Sequence, residues 1–299
     1  MIKNLSKSIS LVIPCNNEQD AIKTSLKIYM DILKDLLNNK TISSFEVLVV
    51  NNGSTDKTLE VLKEQKKNYN IKIVNLKKNY GYTSSYLAGM YHANNEMIIT
   101  VSADLHEDPY KIEEMIKKHY SDYKSILGVY QKRHETFLKN FFSNAYYEFM
   151  KILKIPIVKN HADFRLISKE TNKKLFEKLP KFIFLRIKLL DFIDSYEKVF
   201  YIGSDRRIGK TKFNFVSSFI LALDTILYYA KINIPKFILY AAIICFVFFL
   251  ITLLVLKMIY ISIFLLILTV LLSLFYIFIS IRIKSLNVDK KHFEVKELI

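Results

Sequence analysis

The feature that most constrains the fold of this chain is a long apolar stretch near its C-terminal end. Between Phe237 and Ile281 the only charged residue is Lys257, which separates two apolar runs. About 20 apolar residues allow a helix to cross a bilayer. Neither run has the polar face of a helix on a soluble protein. We therefore expect a hairpin of two transmembrane helices, at about 237–256 and 259–281, rather than a buried helix pair.

Basic residues flank this predicted hairpin on both sides. Two spans return the chain to the side from which it started, and an excess of Lys and Arg marks the cytoplasmic side. The flanking residues are Lys231, Lys236, Arg282, Lys284, Lys290 and Lys291. The start of the chain, MIKNLSKS, is polar and does not resemble a signal peptide. We expect a multi-pass protein of the inner membrane, with both termini, the N-terminal domain and a tail at 282–299 in the cytoplasm.

Charge and cysteine content narrow the choice of partners and compartment. The 299 residues carry a formal net charge of +16. Beside a membrane hairpin, this excess favours anionic headgroups and phosphorylated ligands over nucleic acid. Cys15 and Cys245 fall in the predicted soluble part and in a predicted span, so we expect no disulfide, as in a reducing compartment.

Residues 1–130 alternate strand-like and helix-like patterns. Short apolar runs at 9–14, 45–50, 71–76, 96–104 and 125–130 are separated by segments of helical length. Such connections imply a mostly parallel sheet with right-handed crossovers. We predict an α/β, Rossmann-like domain over residues 1–212.

Three later segments have the pattern of amphipathic helices. Each places Lys or Arg beside a large apolar face, and the segments are 137–153, 181–194 and 213–232. Such helices lie in the headgroup plane of a membrane, but the same pattern suits helices packed in a core. For residues 213–236, which lead into the hairpin, we predict an interfacial helix.

Polar clusters follow the first four predicted strands. In chain order they are PCNNE, NNGSTD, KKNYG and SADLHEDP. Any one of them alone is what a turn and a helix N-cap require. The carboxyl ends of parallel strands meet at one edge of a sheet, where open α/β sheets bind nucleotides. Four clusters at that edge predict a ligand site.

The order and spacing of these motifs resemble the family-2 glycosyltransferases with the GT-A fold, and more narrowly the polyprenyl-phosphate glycosyltransferases. In that group the clusters usually read VIPxYNE, VVDDGSTD, Asn-x-Gly and DADLQDPP. The resemblance continues through ADFRLIS at 162–168, DRRIGKTKF at 205–213 and the hairpin. It implies inverting transfer of one sugar from a nucleotide-sugar donor to a polyprenyl phosphate, such as undecaprenyl or dolichyl phosphate.

The resemblance also implies which residues bind the donor. These are Pro14, Asn16, Glu18, Asn51, Asn52, Ser54, Asn79, Gly81, Ser102 and Ala103. Asn51, Asn52 and Ser102 replace acids that hold the base and ribose in relatives. A carboxylate only accepts hydrogen bonds, whereas an amide also donates. We therefore expect the two amides to contact a nucleotide base with altered preference.

Asp104 is the expected catalytic metal ligand. The departing nucleoside diphosphate carries charge that a bridging divalent ion stabilises, and Mg²⁺ or Mn²⁺ takes hard oxygen ligands. His106 stands where the family often has Gln, and an imidazole suits Mn²⁺ better than Mg²⁺. The alternatives are that Asp104 only caps the next turn and that His106 is structural.

A polyprenyl phosphate brings an oxygen nucleophile that is already ionised near neutral pH. A strong general base is then unnecessary, and the enzyme must hold two phosphate groups in line. Asp163 matches an acid that in relatives is a base or orients the acceptor, and Arg165 is either an acceptor contact or only an ion-pair partner. The expected acceptor-binding residues are Arg133, Arg165, Arg206, Arg207, Lys210 and Lys212. The cluster at 205–212 also suits an ordinary juxtamembrane basic patch.

Two rival functions differ from this one. Processive polysaccharide synthases carry Gln-x-x-Arg-Trp, and this chain contains no Trp. A degenerate transferase with a binding or scaffold role is favoured by Asn51, Asn52, Ser102 and Tyr130, the last of which replaces a basic residue of the family. Asp104 and the basic stretch argue against it. The apolar hairpin also allows association into a homo-oligomer.

Overall fold

The structure is a computed structural model that describes residues 7–122, 125–132, 137–203, 215–230, 233–254, 259–288 and 291–299. The chain divides into two units. The first contains residues 1–147, 156–212 and 291–299, and the second contains residues 148–155 and 213–290. The first is an α/β unit, and the second is helical over its described residues.

The first unit begins with alternating strands and helices, as the apolar runs predict. In chain order these are β1 (Ser8–Cys15), α1 (Ile22–Asn38), β2 (Ser44–Asn51), α2 (Thr58–Asn68), β3 (Ile71–Leu76), α3 (Tyr82–Tyr91), β4 (Met97–Thr100), α4 (Lys111–Asp122) and β5 (Ser125–Lys132). The expected strand at 96–104 is shorter, because the chain leaves the sheet after Thr100 and enters the loop that carries Asp104.

The later elements are less regular. They are α5 (Phe137–Ile152), which continues into the second unit, β6 (His161–Ser168), α6 (Lys169–Glu177), α7 (Leu185–Lys188), a 3₁₀ turn (Leu189–Phe192), β7 (Tyr196–Ile202) and, after the helical unit, β8 (Val295–Leu298). The prediction of one amphipathic helix at 181–194 is wrong. Helical residues there are limited to α7 and the 3₁₀ turn that follows it, so the segment is two short turns rather than one helix of 14 residues.

The described strands of this unit form an eight-stranded sheet in the order β7-β5-β6-β4-β1-β2-β3-β8. Strands β1 to β4 are mutually parallel, and β5 is parallel to β7. β6 runs antiparallel to both β4 and β5, and β8 runs antiparallel to β3. The sheet is therefore mixed but mostly parallel. Its apolar residues form a core on each face, one with α1 and one with α3.

The segment beyond the apolar helices, expected as a tail, ends in β8. This strand pairs with the outer edge of β3, placing Glu297 opposite Asn75 and Leu298 opposite Val74. The backbone of Ile299 exchanges two further hydrogen bonds with Ile73, at 2.8 and 3.0 Å. An unpaired strand edge exposes a row of backbone donors and acceptors. β8 satisfies that row on β3.

The second unit contains α8 (Phe215–Tyr229), α9 (Ile234–Leu254) and α10 (Ile259–Leu286). α9 and α10 are long and apolar enough to cross a membrane and pack against each other. The hydroxyls of Thr252 and Ser262 link them at 3.0 Å. α10 extends beyond the predicted end, and Arg282 forms a two-point ion pair with Asp224 of α8, with both distances 2.6 Å.

Candidate active site at the carboxyl edge of the sheet

The loops that follow β1 and β2 are joined by hydrogen bonds. The backbone N–H of Asn17 donates to Ser54 Oγ at 3.0 Å, and the N–H of Thr55 donates to Asn17 Oδ1 at 2.8 Å. The N–H of Glu18 donates to Thr58 Oγ1 at 2.8 Å, which brings the first loop to the start of α2. Glu18 and Ser54, two predicted donor-binding residues, therefore lie in one interlocked pair of loops.

Asn52 joins three of the predicted clusters. Its Nδ2 donates to Asn79 Oδ1 at 3.1 Å and to the Gly81 carbonyl at 3.0 Å, while its Oδ1 accepts from the Tyr80 N–H at 3.0 Å. Asn16 Nδ2 donates to the Asn52 carbonyl at 2.8 Å. Asn52 is only 3% exposed. In this structure its side chain holds the loops together, and its contact with a nucleotide base stays a prediction.

Asn51, the last residue of β2, has a similar role. It is 2% exposed, its Nδ2 donates to Asn75 Oδ1 at 2.8 Å, and its Oδ1 accepts from the Ser54 N–H at 3.4 Å. A carboxylate has no hydrogen to donate and would meet Asn75 Oδ1 or Asn79 Oδ1 unfavourably. The amides at 51 and 52 are thus matched to amide neighbours on β3 and on the loop after it.

Gly53 permits the loops after β2 and β3 to touch. Its φ is +60°, and a Cβ atom built on it would lie 2.2 Å from the carbonyl carbon of Lys78. No side chain fits there without separating the two backbones. Gly81 has a φ of +90° but open space around its Cα, so its requirement is conformational rather than steric.

The loop after β4 is folded around Glu107. Both the backbone N–H and the hydroxyl of Ser102 donate to Glu107 Oε2, the former at 3.1 Å. Burial raises the pKa of Glu107 to about 7, and the nearby charge of Asp104 adds to this rise. An acid at position 102 would face the Glu107 carboxylate, which explains physically why serine fits here. Sequence reasoning missed Glu107, although it lies inside the SADLHEDP motif.

Asp104 and His106 lie on the same loop. Asp104 is 8% exposed, and its Oδ1 accepts from the His106 N–H at 3.3 Å. His106 Nδ1 is buried without a hydrogen-bond partner among the described residues. The Tyr29 hydroxyl donates to the Ser102 carbonyl at 2.9 Å and anchors the loop to α1. A carboxylate and an unpartnered imidazole nitrogen are therefore carried by one short loop.

The direction of β6 brings Asp163 to the same edge. Because β6 is antiparallel to β4, its first residues lie where the parallel strands end. Arg165 is opposite Thr100, the last residue of β4, and the Thr100 hydroxyl donates to the Asp163 carbonyl. Asp163, near the start of β6, thus lies at the same edge of the sheet as the loop that follows the end of β4.

Asp163 is held by two arginines. Arg165 donates to its Oδ1, and Arg186 donates to its Oδ2 from Nε at 3.0 Å and from Nη2 at 2.6 Å. Burial alone would raise the pKa of Asp163, but the two guanidinium groups hold it well below its usual range. Arg165 is completely buried, so the structure favours its expected alternative role as an ion-pair partner. Arg186 was missed because FLRIKLL belongs to none of the polar clusters.

A cavity of about 490 Å³ borders this loop and is lined in part by Glu107, Lys111, Gln131, Phe200 and Tyr201. Its walls combine three ionisable groups, Asp108 being the third, with aromatic surface. The remaining predicted acceptor residues, Arg133, Arg206, Arg207, Lys210 and Lys212, lie outside the described residues.

A family model described as "Glycosyl transferase family 2" matches residues 10–193, more than half of the chain. The chain belongs to glycosyl transferase family 2. Its mostly parallel sheet, with polar loops at the carboxyl edge, is the GT-A architecture that the motifs implied. The matched range includes Asp104, Asp163 and Arg186.

Similar proteins were found among curated sequences and solved structures. The uncharacterized glycosyltransferase YkoT of Bacillus subtilis is 30% identical over 71% of this chain, and the match spans 64% of that relative, or less than two thirds. The undecaprenyl-phosphate 4-deoxy-4-formamido-L-arabinose transferase of Photorhabdus laumondii is 35% identical over 37% of this chain and 33% of its own. Staphylococcus aureus TarS 1-349 in complex with UDP-GlcNAc superposes with a TM-score of 0.49 and 14% identity, covering 76% of this chain and 68% of that one.

Proposed function

We propose that this family-2 glycosyltransferase moves one sugar, with inversion, from a nucleotide-sugar donor to a polyprenyl phosphate at the cytoplasmic face of the inner membrane. The observation that carries the proposal is the meeting of Asp104, the interlocked donor loops and the Asp163–Arg186 pair at one edge of the sheet. In this proposal the loops after β1, β2 and β3 bind the nucleotide through their backbone and exposed side chains.

The charge state of Asp163 supports a phosphate acceptor. A carboxylate stabilised by two guanidinium groups is a poor proton acceptor. An ionised phosphate oxygen needs no proton removed before it attacks the anomeric carbon. We therefore assign Asp163 the role of orienting Arg186, whose side chain is 27% exposed and offers donors to an anionic group. The predicted basic cluster at 206–212 would supply further acceptor contacts.

The loop after β4 fits a divalent ion shared with a diphosphate. Among the described residues, no three His, Cys, Asp or Glu side chains are grouped to hold a metal by themselves. Mg²⁺ and Mn²⁺ at phosphate sites take only one or two protein ligands, the rest being phosphate and water oxygens. Asp104 and the unpartnered His106 Nδ1 are suitable ligands, and the ion would stabilise the charge of the leaving diphosphate.

Three features support a lipid acceptor at a membrane. α9 and α10 expose apolar side chains along their length, as transmembrane helices do. β8 follows α10 in the chain and joins the sheet that β1 begins, so both ends of the hairpin belong on one side of the membrane. The similar protein of Photorhabdus laumondii is named as an undecaprenyl-phosphate transferase. These features agree with a catalytic unit and termini on the cytoplasmic side.

The test is turnover of the full-length protein in detergent with undecaprenyl phosphate and a panel of UDP-, GDP- and CDP-sugars. We expect metal-dependent release of one nucleoside diphosphate and formation of a lipid-linked sugar. Asp104→Asn should abolish release while the protein remains folded. Nucleotide binding without release under every donor would instead support the scaffold function, and release that proceeds without undecaprenyl phosphate as acceptor would contradict the lipid substrate.

A further inference from the structure

A chain of three polar side chains runs from β8 to the loop after β2. Asn75 Nδ2 donates to Glu297 Oε1 at 2.9 Å, and Asn51 Nδ2 donates to Asn75 Oδ1 at 2.8 Å. We propose that Glu297 and Asn75 are positioning residues, which set the orientation of Asn51 and through it the donor loop at 52–58. The proposal rests on the nucleotide-binding role given to that loop above.

The hydrogen bonds that link Glu297, Asn75 and Asn51 have a direction, which the carboxylate at one end imposes. The Glu297 carboxylate can only accept, so Asn75 must present its NH₂ group to β8 and its oxygen to β2. Asn51 must then present its NH₂ group to Asn75, which leaves Asn51 Oδ1 facing the donor loop. Asn75 and Asn51 are 3% and 2% exposed, so water cannot readily replace the bond between them, whereas Glu297 is exposed on β8.

The oriented amide of Asn51 acts on the loop through Ser54. Asn51 Oδ1 accepts from the Ser54 N–H at 3.4 Å, and Ser54 Oγ accepts from the Asn17 N–H at 3.0 Å. A rotated Asn51 amide would place its NH₂ group against the Ser54 N–H, with two donors facing each other. Glu297 therefore acts on the contact between the loops after β1 and β2 without reaching it.

β8 is firmly fixed, as a positioning element must be. β8 pairs with β3, and two further contacts hold the residues before it. The Lys77 N–H donates to the Glu294 carbonyl at 3.0 Å, and Lys77 Nζ pairs with the Glu294 carboxylate at 2.6 Å. His292 Nε2 lies 2.9 Å from the Pro180 carbonyl oxygen. Val295 follows the end of α10 after the eight residues 287–294. The segment that follows α10 thus becomes part of the sheet whose carboxyl edge carries the predicted donor loops.

The first test compares Glu297→Ala with Lys296→Ala, the neighbouring exposed residue of β8, in the full-length protein. Hydrogen exchange of the Ser54 amide should be about tenfold faster in Glu297→Ala, the loss expected for one hydrogen bond to a charged group, and unchanged in Lys296→Ala. Glu297→Gln keeps an acceptor oxygen and should restore wild-type exchange. Equal Ser54 exchange in Glu297→Ala and the wild type overturns the inference.

Calorimetric titration with UDP and with GDP in MnCl₂ separates this inference from the proposed function. We expect the nucleotide that binds the wild type to bind Glu297→Ala about tenfold more weakly and Lys296→Ala equally well. Faster Ser54 exchange in a protein that binds neither nucleotide contradicts the proposed function but supports the positioning role. Undiminished binding with unchanged exchange contradicts only the positioning role.

Reversing the direction of these hydrogen bonds gives a second test. In Asn51→Asp, Asn75 must turn its NH₂ group to the new carboxylate, so its oxygen faces Glu297. Two acceptors then face each other at β8, so the protein should unfold at a lower temperature than the wild type. Adding Glu297→Gln supplies an NH₂ group to the turned Asn75, and the double variant should unfold close to the wild-type temperature. A double variant no more stable than Asn51→Asp alone overturns the proposed direction.

Discussion

Arg186 donates two hydrogen bonds to one carboxylate oxygen of Asp163, and the buried Arg165 donates to the other oxygen. The three residues come from β6 and from α7, which are separated in the chain. The carboxylate is the shared centre of this group. Changes at Asp163 and at Arg186 should therefore have different consequences.

Asp163→Asn should destabilise the protein strongly. It leaves the fully buried Arg165 without its counter-charge, and breaking such a buried pair costs about 3–5 kcal/mol. Arg186→Lys keeps a cation beside Asp163 but loses the two-point geometry. It should unfold close to the wild-type temperature and lose turnover. Thermal unfolding and a single-turnover assay separate the two effects, and equal unfolding temperatures for Asp163→Asn and the wild type would contradict this account.

Glu107→Gln should stabilise the protein at alkaline pH. The pKa of Glu107 rises from 4.5 to about 7, so between these values the folded state binds a proton that the unfolded state lacks. The stability contribution of Glu107 is therefore fully present below pH 4.5 and is lost as the pH rises from 4.5 through about 7. Gln keeps one oxygen for both Ser102 donors. The variant's unfolding temperature should exceed that of the wild type at pH 8 and equal it at pH 4, with Asp108→Asn as control.

His161→Phe should reduce the loss of folding stability that the protein undergoes at acid pH. Burial, with Arg165 and Arg186 nearby, lowers the pKa of His161 well below 6.5. Below pH 6.5 the unfolded state therefore binds a proton that the folded state excludes, and stability falls as the pH decreases. Neither imidazole nitrogen has a hydrogen-bond partner among the described residues, so Phe forfeits no bond. Unfolding temperatures at pH 7 and pH 5 should differ less in the variant, and an unchanged difference would contradict the prediction.

Gly53→Ala should separate the loops after β2 and β3. The new Cβ atom would lie 2.2 Å from the carbonyl carbon of Lys78, and the backbone also has a positive φ. Gly81→Ala is a matched control, because it has a positive φ without a neighbouring atom. We expect Gly53→Ala to cost about 1–3 kcal/mol more than Gly81→Ala and to weaken nucleotide binding. Denaturant unfolding and UDP titration measure both effects.

The sequence predicted the parts of the fold that depend on local pattern. The first strands and their helices followed from buried apolar runs, and the two long helices followed from length and apolarity alone. β8 was missed because VKEL is short and half charged, and only pairing with β3 makes it a strand. The antiparallel direction of β6 depends on its neighbours, which no local pattern encodes.

The candidate site was predicted in the same uneven way. The loops that carry Asn52 and Asp104 were identified from their motifs, but the partners of these residues were not. Arg186 lies far along the chain from Asp163's strand in an apolar context, and Glu297 lies beyond both long helices. Their contributions arise from contacts that form only in the folded sheet. Motif spacing predicts where the loops lie in the sequence, whereas the partners of each side chain depend on tertiary contacts.

The position of β8 in the chain has a consequence for biosynthesis. The ribosome makes β8 only after both apolar helices, so the β3 edge stays open while they are being translated. Translation that stalls within the hairpin would leave a sheet with a free edge, a template for unwanted strand pairing. Completion of the eight-stranded sheet is in this way tied to synthesis of the two apolar helices.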